Sequence, residues 1–527
     1  MTALTGTLRV VRSHWRTDWP TLLLWPALMT ALVIGTASGI TALYPSPESR
    51  ELYAATLGAS PATMAFNGRW SDLTTPGGIT TYEIGFMGLL FFPPIMLHLA
   101  ISQTRAEEDS GRAELITAGR LGRLAPLAGA LVTLTIVALA FAGGSVVGLA
   151  AVGLPVAGSA WYATALGLFA WWFGAAGLVA AQLGRSARTA MGLGLALSFG
   201  MFLVRAVIDG RELAAEWATP MGWLPLVRPF SDDPSTRPLL LLAGTGCALV
   251  IVAGAVAVRR DLGGGVLTPR PGPAGGSALL GHPLGAAWRL TRGGFAGWSL
   301  GLVLWGAAIG TLTAEMADLV RSNPDIGAML GSGRPDDIVT ALAVVVIALG
   351  GAALGLQALG VLQAEESSGR LGLILASPIG RLRVWASWWF VIAVEVVVAM
   401  LLGAAALGIS TWWVTERSGA LGDAVAAAAA YCGPMLALVA LAALAGMVAR
   451  GGLVFGWALL GWTAVVALLA ETLRLPEWSR QFSFLEHVGR VPIEAANAMS
   501  LFAFASITLV AILIAGGLGR VRDLWAG

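Results

Sequence analysis

The sequence contains no lysine: all 32 of its basic residues are arginine. A P-loop needs a lysine to reach the β- and γ-phosphates of a nucleotide, and protein kinases and Schiff-base enzymes need one as well. These three classes are therefore excluded for this chain. The two cysteines, Cys247 and Cys432, lie far apart in apolar segments, so neither a disulfide framework nor a zinc site is predicted.

Charged residues are also scarce, at 12 % of the chain, against roughly 25 % in a typical soluble domain. Hydrophobic residues make up 57 %, and the mean hydropathy is +0.77. With so few charged residues to contact water, the sequence predicts an all-α polytopic membrane protein, and its apolar runs predict 12 transmembrane helices. Six apolar runs of spanning length occur in each half of the chain, at 21–43, 82–103, 124–152, 158–183, 187–207 and 238–258, and then at 294–313, 338–362, 384–410, 421–448, 452–471 and 497–519.

The distribution of arginine predicts the orientation of these spans. A cytoplasmic N-terminus assigns 20 arginines to the inner segments and 11 to the outer ones, in agreement with the positive-inside rule. Both termini are then cytoplasmic, and the protein is expected in the cell inner (plasma) membrane. In residues 1–20, Arg9, Arg12 and Arg16 lie beside an apolar face, which predicts an amphipathic helix in the membrane interface.

The chain is internally duplicated. Residues 106–124 align with residues 364–382 without a gap at an offset of 258, and 12 of 19 positions are identical. The Gly- and Pro-rich segment 261–281 is predicted to be a flexible cytoplasmic linker between a first transmembrane half, 1–260, and a second, 282–527. Six spans in each half give both copies the same orientation. Two parallel six-helix repeats, related by a pseudo-twofold axis along the membrane normal, are therefore predicted, with a path at their interface.

The repeated motif follows the second span of each half, within coupling segments 104–123 and 362–382. Paired carboxylates open a short amphipathic helix, a glycine permits a sharp turn, and a leucine supplies an apolar contact. Two such elements form a docking surface for a twofold soluble partner; the alternative is a solvated turn that only maintains topology. The candidate docking residues are Glu107, Glu108, Gly111, Arg112 and Leu115 in the first copy and Glu365, Glu366, Gly369, Arg370 and Leu373 in the second.

The motif E-E-x-S-G-R followed by L-I-x-A resembles the coupling-helix region of ABC-2-type exporter permeases. The outer segment 217–230, WATPMGWLPLVRPF, is similar to that of the polyketide-antibiotic (tetronasin-type) ABC exporters. The resemblance implies a type V exporter architecture, with re-entrant or capping elements at 208–237 and 472–496. It also implies that two copies of a separate ATPase subunit bind ATP and magnesium. Hydrophobic small molecules, including drugs and polyketide antibiotics, would be the cargo.

Aromatic and ionisable residues inside the spans offer further candidates. The candidate substrate path comprises Trp25, Phe91, Phe92, Pro93, Met201 and Phe202, although ordinary packing explains such residues equally well. Arg205 has Asp209 one helical turn later, which predicts a structural ion pair near the outer end of a span. His98 and Glu395 have no counterpart in the other repeat. They belong either to a proton relay or to hydrogen bonds within the bundle.

These features predict a transporter subunit rather than an enzyme: the permease of an ATP-driven ABC exporter, active in multidrug efflux and antibiotic resistance. The alternative is a 12-span proton-coupled drug antiporter, which also has parallel six-span halves and needs no ATPase partner. No cofactor or metal is expected in this chain. The net charge of +2 gives no indication of a nucleic-acid partner.

Overall fold

A computed structural model describes residues 2–56, 61–117, 121–261, 263–267, 275–276, 281–322, 334–376, 378–449, 451–470 and 475–522. Within these residues the chain is helical and contains no β-strand, as a membrane protein of helical spans requires. The helices divide into two compact units, Met1–Pro271 and Gly272–Gly527. The division falls inside the predicted linker 261–281, much of which lies outside the described residues.

The described part of the first unit contains eleven α-helices. In chain order they are α1 (Thr7–Leu43), α2 (Pro47–Thr56), α3 (Pro61–Asn67), α4 (Pro76–Ser102), α5 (Arg105–Asp109), α6 (Arg112–Thr117), α7 (Ala125–Ala151), α8 (Val156–Leu183), α9 (Ala187–Gly210), α10 (Pro220–Trp223) and α11 (Arg237–Arg259). Helices α1, α4, α7, α8, α9 and α11 have the length and composition of membrane spans. They correspond to the six spans predicted for the first half.

The described part of the second unit contains eight α-helices. They are α12 (Pro283–Ser322), α13 (Pro335–Ser367), α14 (Arg370–Leu375), α15 (Arg381–Thr415), α16 (Ala420–Val448), α17 (Gly452–Leu469), α18 (Glu477–Arg480) and α19 (Ala498–Val521). Helices α12, α13, α15, α16 and α19 bring the candidate spans in the described residues to 11. Helix α17 is about 27 Å long, less than the roughly 30 Å of a hydrocarbon core. The twelfth span, expected at 452–471, therefore stays a prediction.

The N-terminal amphipathic segment is part of the first span rather than a separate helix. Helix α1 runs unbroken through Pro20 and Pro26 and is about 55 Å long, well beyond the thickness of a bilayer core. The buried residues of α1 recur every three or four positions on either side of a gap between His14 and Leu22: Val10, His14, Leu22, Pro26, Met29, Val33, Ala37 and Ile40. Because the helix continues across this gap, Arg9, Arg12 and Arg16 lie on the same helix as the apolar run that follows them.

Close helix packing holds the centre of each unit together. Helices α4 and α8 meet where a Cβ on Gly177 would lie only 2.7 Å from the Cβ of Ala100. In the second unit, a Cβ on Gly355 would lie 2.7 Å from Val439, where α13 meets α16. Lipid tails are as apolar as these side chains, so contact at short range, rather than the hydrophobic effect, stabilises the packing of spans.

Short helical turns connect α9 and α11, the last two candidate spans of the first unit, within the predicted capping element 208–237. Two 3₁₀ turns, Glu216–Ala218 and Pro225–Val227, flank α10, and both Met221 of α10 and the adjacent Leu224 are buried. In the second unit, α18 lies in the corresponding segment 472–496, of which residues 472–474 are outside the described part of the chain. The first of these segments forms one wall of a cavity described below.

Candidate functional site at the two elbows

The second span of each unit ends in a bent segment, named here the first elbow (residues 104–117) and the second elbow (residues 364–376). In each elbow one glycine, Gly111 or Gly369, has a φ of +75°, in the left-handed region that favours glycine. The amide of Gly111 donates to the carbonyl of Glu108 at 3.0 Å, and that of Gly369 donates to Glu366 at 2.9 Å. The sharp turn expected from the repeated glycine is thus present in both copies.

One glutamate of each elbow bridges this turn. Glu107 accepts hydrogen bonds from Arg112 at 2.8 and 3.1 Å, and Glu365 accepts from Arg370 at 2.7 and 2.9 Å. These hydrogen bonds raise the pKa of both arginines above its ordinary value. The carboxylates are mostly covered, whereas the side chains of Arg112 and Arg370 are 63 % and 57 % exposed. In the second elbow the outermost charge is therefore a guanidinium, whereas the first elbow also exposes Asp109 and Glu114.

The second glutamate of the first elbow points into the protein. Glu108 accepts hydrogen bonds from Arg105 at 2.9 Å, from Arg260 at 2.8 Å and from the backbone amide of Gly263 at 3.2 Å. The Arg105 side chain is fully buried and also donates to the carbonyl of Ala181, in α8, at 2.8 Å. Burial lowers the pKa of Arg105, and the neighbouring Glu108 opposes that shift. The first elbow is thereby fastened to α8 and to the end of α11.

The second elbow is fastened by an equivalent ion pair. Glu366 is 4 % exposed and accepts a hydrogen bond from Arg522 at 2.6 Å. Arg522 directly follows α19, as Arg260 directly follows α11. Neither arginine is predicted from the sequence, because 156 and 152 residues separate them from their glutamates. Their shared position, immediately after the last span of each half, is the signal that would have indicated them.

The apolar residues of the elbows face in two directions. In α14, Leu371 is buried in the core of the second unit, whereas the predicted docking residue Leu373 is 77 % exposed. In α6, Ala113 occupies the buried position that corresponds to Leu371. The backbone of Leu115 belongs to α6, but its side chain lies outside the described residues. Leu373 and Arg370 together therefore expose apolar and cationic side chains on the second elbow.

The six candidate path residues fall into three environments in the first unit. Phe92, Pro93 and Phe202 are buried, Trp25 and Met201 are half-buried, and Phe91 is exposed. Phe92 meets Phe141 edge-on, with ring centroids 5.1 Å apart, as tightly packed aromatic rings do. Core packing thus accounts for part of this set, and a substrate path along all six residues stays a prediction.

The predicted ion pair between Arg205 and Asp209 is confirmed. The two side chains lie 3.3 Å apart and are almost completely buried. Arg205 also donates to the carbonyls of Ala65 and Phe66, at 2.9 and 2.8 Å, and its guanidinium lies 4.9 Å from the ring centre of Phe202. One buried charge therefore attaches α3 to α9. This is a structural role, as the one-turn spacing indicated.

Glu395 and His98 lie in different units and in different surroundings. Glu395 is buried in α15, and Thr291 of α12 donates a hydrogen bond to its Oε1 atom. Its Oε2 atom has no hydrogen-bond partner among the described residues. His98 is exposed on α4. Hydrogen bonding within the bundle therefore accounts for one oxygen of Glu395, and the proton relay stays the alternative.

Comparison with known proteins supports the membrane assignment. The chain is 30 % identical, over 528 residues, to the multidrug efflux system permease protein Rv1217c of Mycobacterium tuberculosis, with 99 % of this chain and 95 % of the relative covered. The family model for the C-terminal domain of the multidrug efflux system permease Rv1217c matches residues 280–520, most of the second unit. The chain therefore belongs to the family of multi-pass membrane permeases represented by Rv1217c.

Proposed function

We propose that this chain is the permease subunit of an ATP-driven ABC exporter of hydrophobic drug-like or polyketide compounds. The observation that carries the proposal is the duplicated elbow, in which a glycine turn, an exposed arginine and a buried glutamate–arginine pair recur in both units. Two equivalent elbows suit two copies of one soluble partner. Because this chain has no lysine for a P-loop, the partner is the subunit that binds ATP and magnesium.

The proposal includes an orientation and a layout. The elbows and both termini face the cytoplasm, and the chain lies in the inner membrane as two parallel six-helix repeats of the type V exporter class. The excess of arginine in the inner segments supports the orientation. The matching contacts of the two elbows support the repeat, because glutamates at corresponding positions make corresponding ion pairs.

The contacts of each elbow suggest how movement of the partner reaches the spans. Each elbow is attached covalently to the second span and through an ion pair to the last one. A largely buried ion pair resists separation, because each charge would lose its partner in a medium of low dielectric constant. A force applied at Leu373 or Arg370 would therefore displace α13 and α19 together. In the first unit, the ion pair between Glu108 and Arg260 would cause α4 and α11 to move together in the same way.

The cargo class rests on the relative and on the resemblance described above. The relative is named as a multidrug efflux system permease, which supports export of several drug-like compounds rather than one metabolite. A strain lacking this gene should become more susceptible to hydrophobic and polyketide antibiotics and keep its susceptibility to small hydrophilic ones. Unchanged susceptibility to every hydrophobic compound in such a panel would contradict the proposed cargo.

Assembly with an ATPase tests the proposed subunit role. The chain is co-expressed with a span-free Walker-motif protein from the neighbouring reading frame, and the complex is purified in lipid nanodiscs. Native mass spectrometry should find two ATPase copies for each chain, and hydrophobic drugs should stimulate ATP hydrolysis by the complex. Failure of every candidate ATPase to bind the folded chain would exclude this role and favour the proton-coupled antiporter.

A further inference from the structure

The first unit contains a cavity at the end of α4 opposite the first elbow. Its volume is about 350 Å³, within the range of small-molecule sites. Side chains from the segment before α4, from α4 itself and from the segment after α9 line it, including Arg69, Trp70, Tyr82, Glu212, Glu216 and Leu226. In the proposed orientation this is the outer end of the unit.

The walls of the cavity are held in place by the fold. A Cβ on Gly85 of α4 would lie 2.0 Å from the carbonyl oxygen of Asn67, so the wall segment packs directly against the helix backbone. Gly68, in the same wall, has a φ of +97°, which a residue with a side chain rarely adopts. The Trp70 indole donates to the Asn67 carbonyl at 2.9 Å. The site is therefore formed before any ligand arrives.

The charges that line the cavity are not balanced. Arg69 is engaged by Glu216 at 3.0 Å, so this cation and this anion offset each other. Glu212 remains as a second carboxylate, and no ion pair of its side chain occurs among the described residues. It is held at a φ of +50°, and its amide donates to the Asp209 carbonyl at 3.2 Å. The lining thus combines one uncompensated negative charge with aromatic and apolar surface.

We infer that this cavity binds small organic cations that carry an apolar body, with Glu212 as the counter-charge and the half-buried Trp70 as the aromatic wall. The electron-rich faces of aromatic rings attract cations, and a nearby carboxylate adds to that attraction. An anion would face Glu212 and find Arg69 already paired. A neutral ligand would make no use of Glu212. The site goes beyond the proposed ATP-coupled function, because it lies within one unit and requires no partner subunit.

The test measures binding of ethidium, a fluorescent organic cation, to the full chain in nanodiscs without any ATPase. Glu212→Gln should raise the Kd about fivefold, as expected for loss of a partly exposed ion pair. Glu212→Asp should bind nearly as well as the unchanged protein. Glu51→Gln, which alters an exposed carboxylate of the same unit outside the cavity lining, is the matched control and should leave the Kd unchanged.

A competition experiment separates charge from shape. Benzyltrimethylammonium should displace ethidium, whereas neopentylbenzene, its neutral isostere, should not. Equal competition by both compounds, or an unchanged Kd in a folded Glu212→Gln variant, would overturn the inference. Because no nucleotide or ATPase is present, either result would leave the proposed ATP coupling unaffected. Failure of the ATPase to assemble would likewise leave this site unaffected.

Discussion

Arg260, the residue after the last span of the first unit, forms an ion pair with Glu108 in the elbow after the second span. The two residues are 152 positions apart in the chain, and Arg522 with Glu366 repeats the relationship in the second unit at a separation of 156. Each pair closes a mechanical link between two spans at one end of its unit. The elbows are therefore parts of the folded units and not appendages of a single helix.

Removal of Arg260 should uncouple the first elbow from the last span. Arg260→Ala leaves Arg105 as the one cation paired with Glu108 and should lower the free energy of unfolding by about 1–3 kcal/mol, the usual cost of weakening a covered charge pair. Drug-stimulated ATP hydrolysis by the complex should fall severalfold. The neighbouring Arg259 is exposed, so Arg259→Ala is the control and should behave like the unchanged protein. Equal ATPase activity in the two variants would show that the ion pair does not transmit movement from the first elbow to the last span.

The pair in the second unit permits a double-mutant cycle. Glu366→Gln and Arg522→Gln each leave one charge without its main partner, so the double variant should be less damaged than the sum of the single ones. The measured quantities are the melting temperature in nanodiscs and the stimulated ATPase rate. Additive effects on both would mean that the two side chains do not act through each other. Arg520→Gln, at an exposed neighbour, is the control.

The glycine turns should tolerate asparagine better than alanine. No atom lies within 4 Å of a Cβ built on Gly369, so Gly369→Ala meets no clash and tests only the left-handed backbone. We expect a loss of about 1–2 kcal/mol in unfolding free energy, and a smaller loss for Gly369→Asn. Gly360, in the interior of α13, also has open space, and Gly360→Ala should be neutral or stabilising. Equal melting temperatures for the two alanine variants would contradict the turn geometry.

Leu373 should matter for assembly and not for folding. Because its side chain is 77 % exposed, Leu373→Asp should leave the melting temperature of the isolated chain unchanged. Because the proposed ATPase covers this residue, the affinity of the ATPase for the Leu373→Asp variant should fall about 30-fold or more, as for substitution of a central interface residue. Val454, also strongly exposed, belongs to α17 and lies outside both elbows, and Val454→Asp is the control. ATPase titration monitored by light scattering gives both affinities, and equal values would remove Leu373 from the interface.

Loss of Arg205 should destabilise the first unit strongly. Arg205→Met leaves Asp209 buried without its cation and removes the donors to Ala65 and Phe66, so we expect a loss of about 3–5 kcal/mol. Arg211→Met, at an exposed position just beyond α9, should have little effect. Thermal unfolding of the chain in nanodiscs measures both. Partial recovery in Arg205→Met with Asp209→Leu would identify the isolated carboxylate as the cause.

The sequence predicts best where the interacting residues are close together along the chain. The glycines of the repeated motif indicate a turn, and the spacing of Arg205 and Asp209 indicates an ion pair, because both depend on one or two helical turns. The pairing of Arg260 with Glu108 depends on where two distant helices end, and no local pattern records that. The turn of the elbow can therefore be predicted from the sequence, whereas its ion pair with the end of the last span cannot.

Apolar positions were predicted less well for a different physical reason. In a membrane, residues that face lipid and residues that face the core are equally apolar, so hydropathy does not separate them. Phe91 and Phe92 are adjacent and chemically identical, yet one is exposed and the other is buried against Phe141. Helix α1 likewise extends beyond the predicted span 21–43 and continues through Pro20, because helices in membranes tolerate proline.

The energy source of transport tests the central claim most directly. Inside-out proteoliposomes containing the chain and the proposed ATPase receive ATP and a hydrophobic antibiotic in the external buffer, and accumulation of the drug in the lumen is measured with and without a protonophore. We expect accumulation that requires the ATPase and ATP hydrolysis and that persists when the proton gradient is abolished. Accumulation by the chain alone on a pH gradient, lost on addition of the protonophore, would contradict the account.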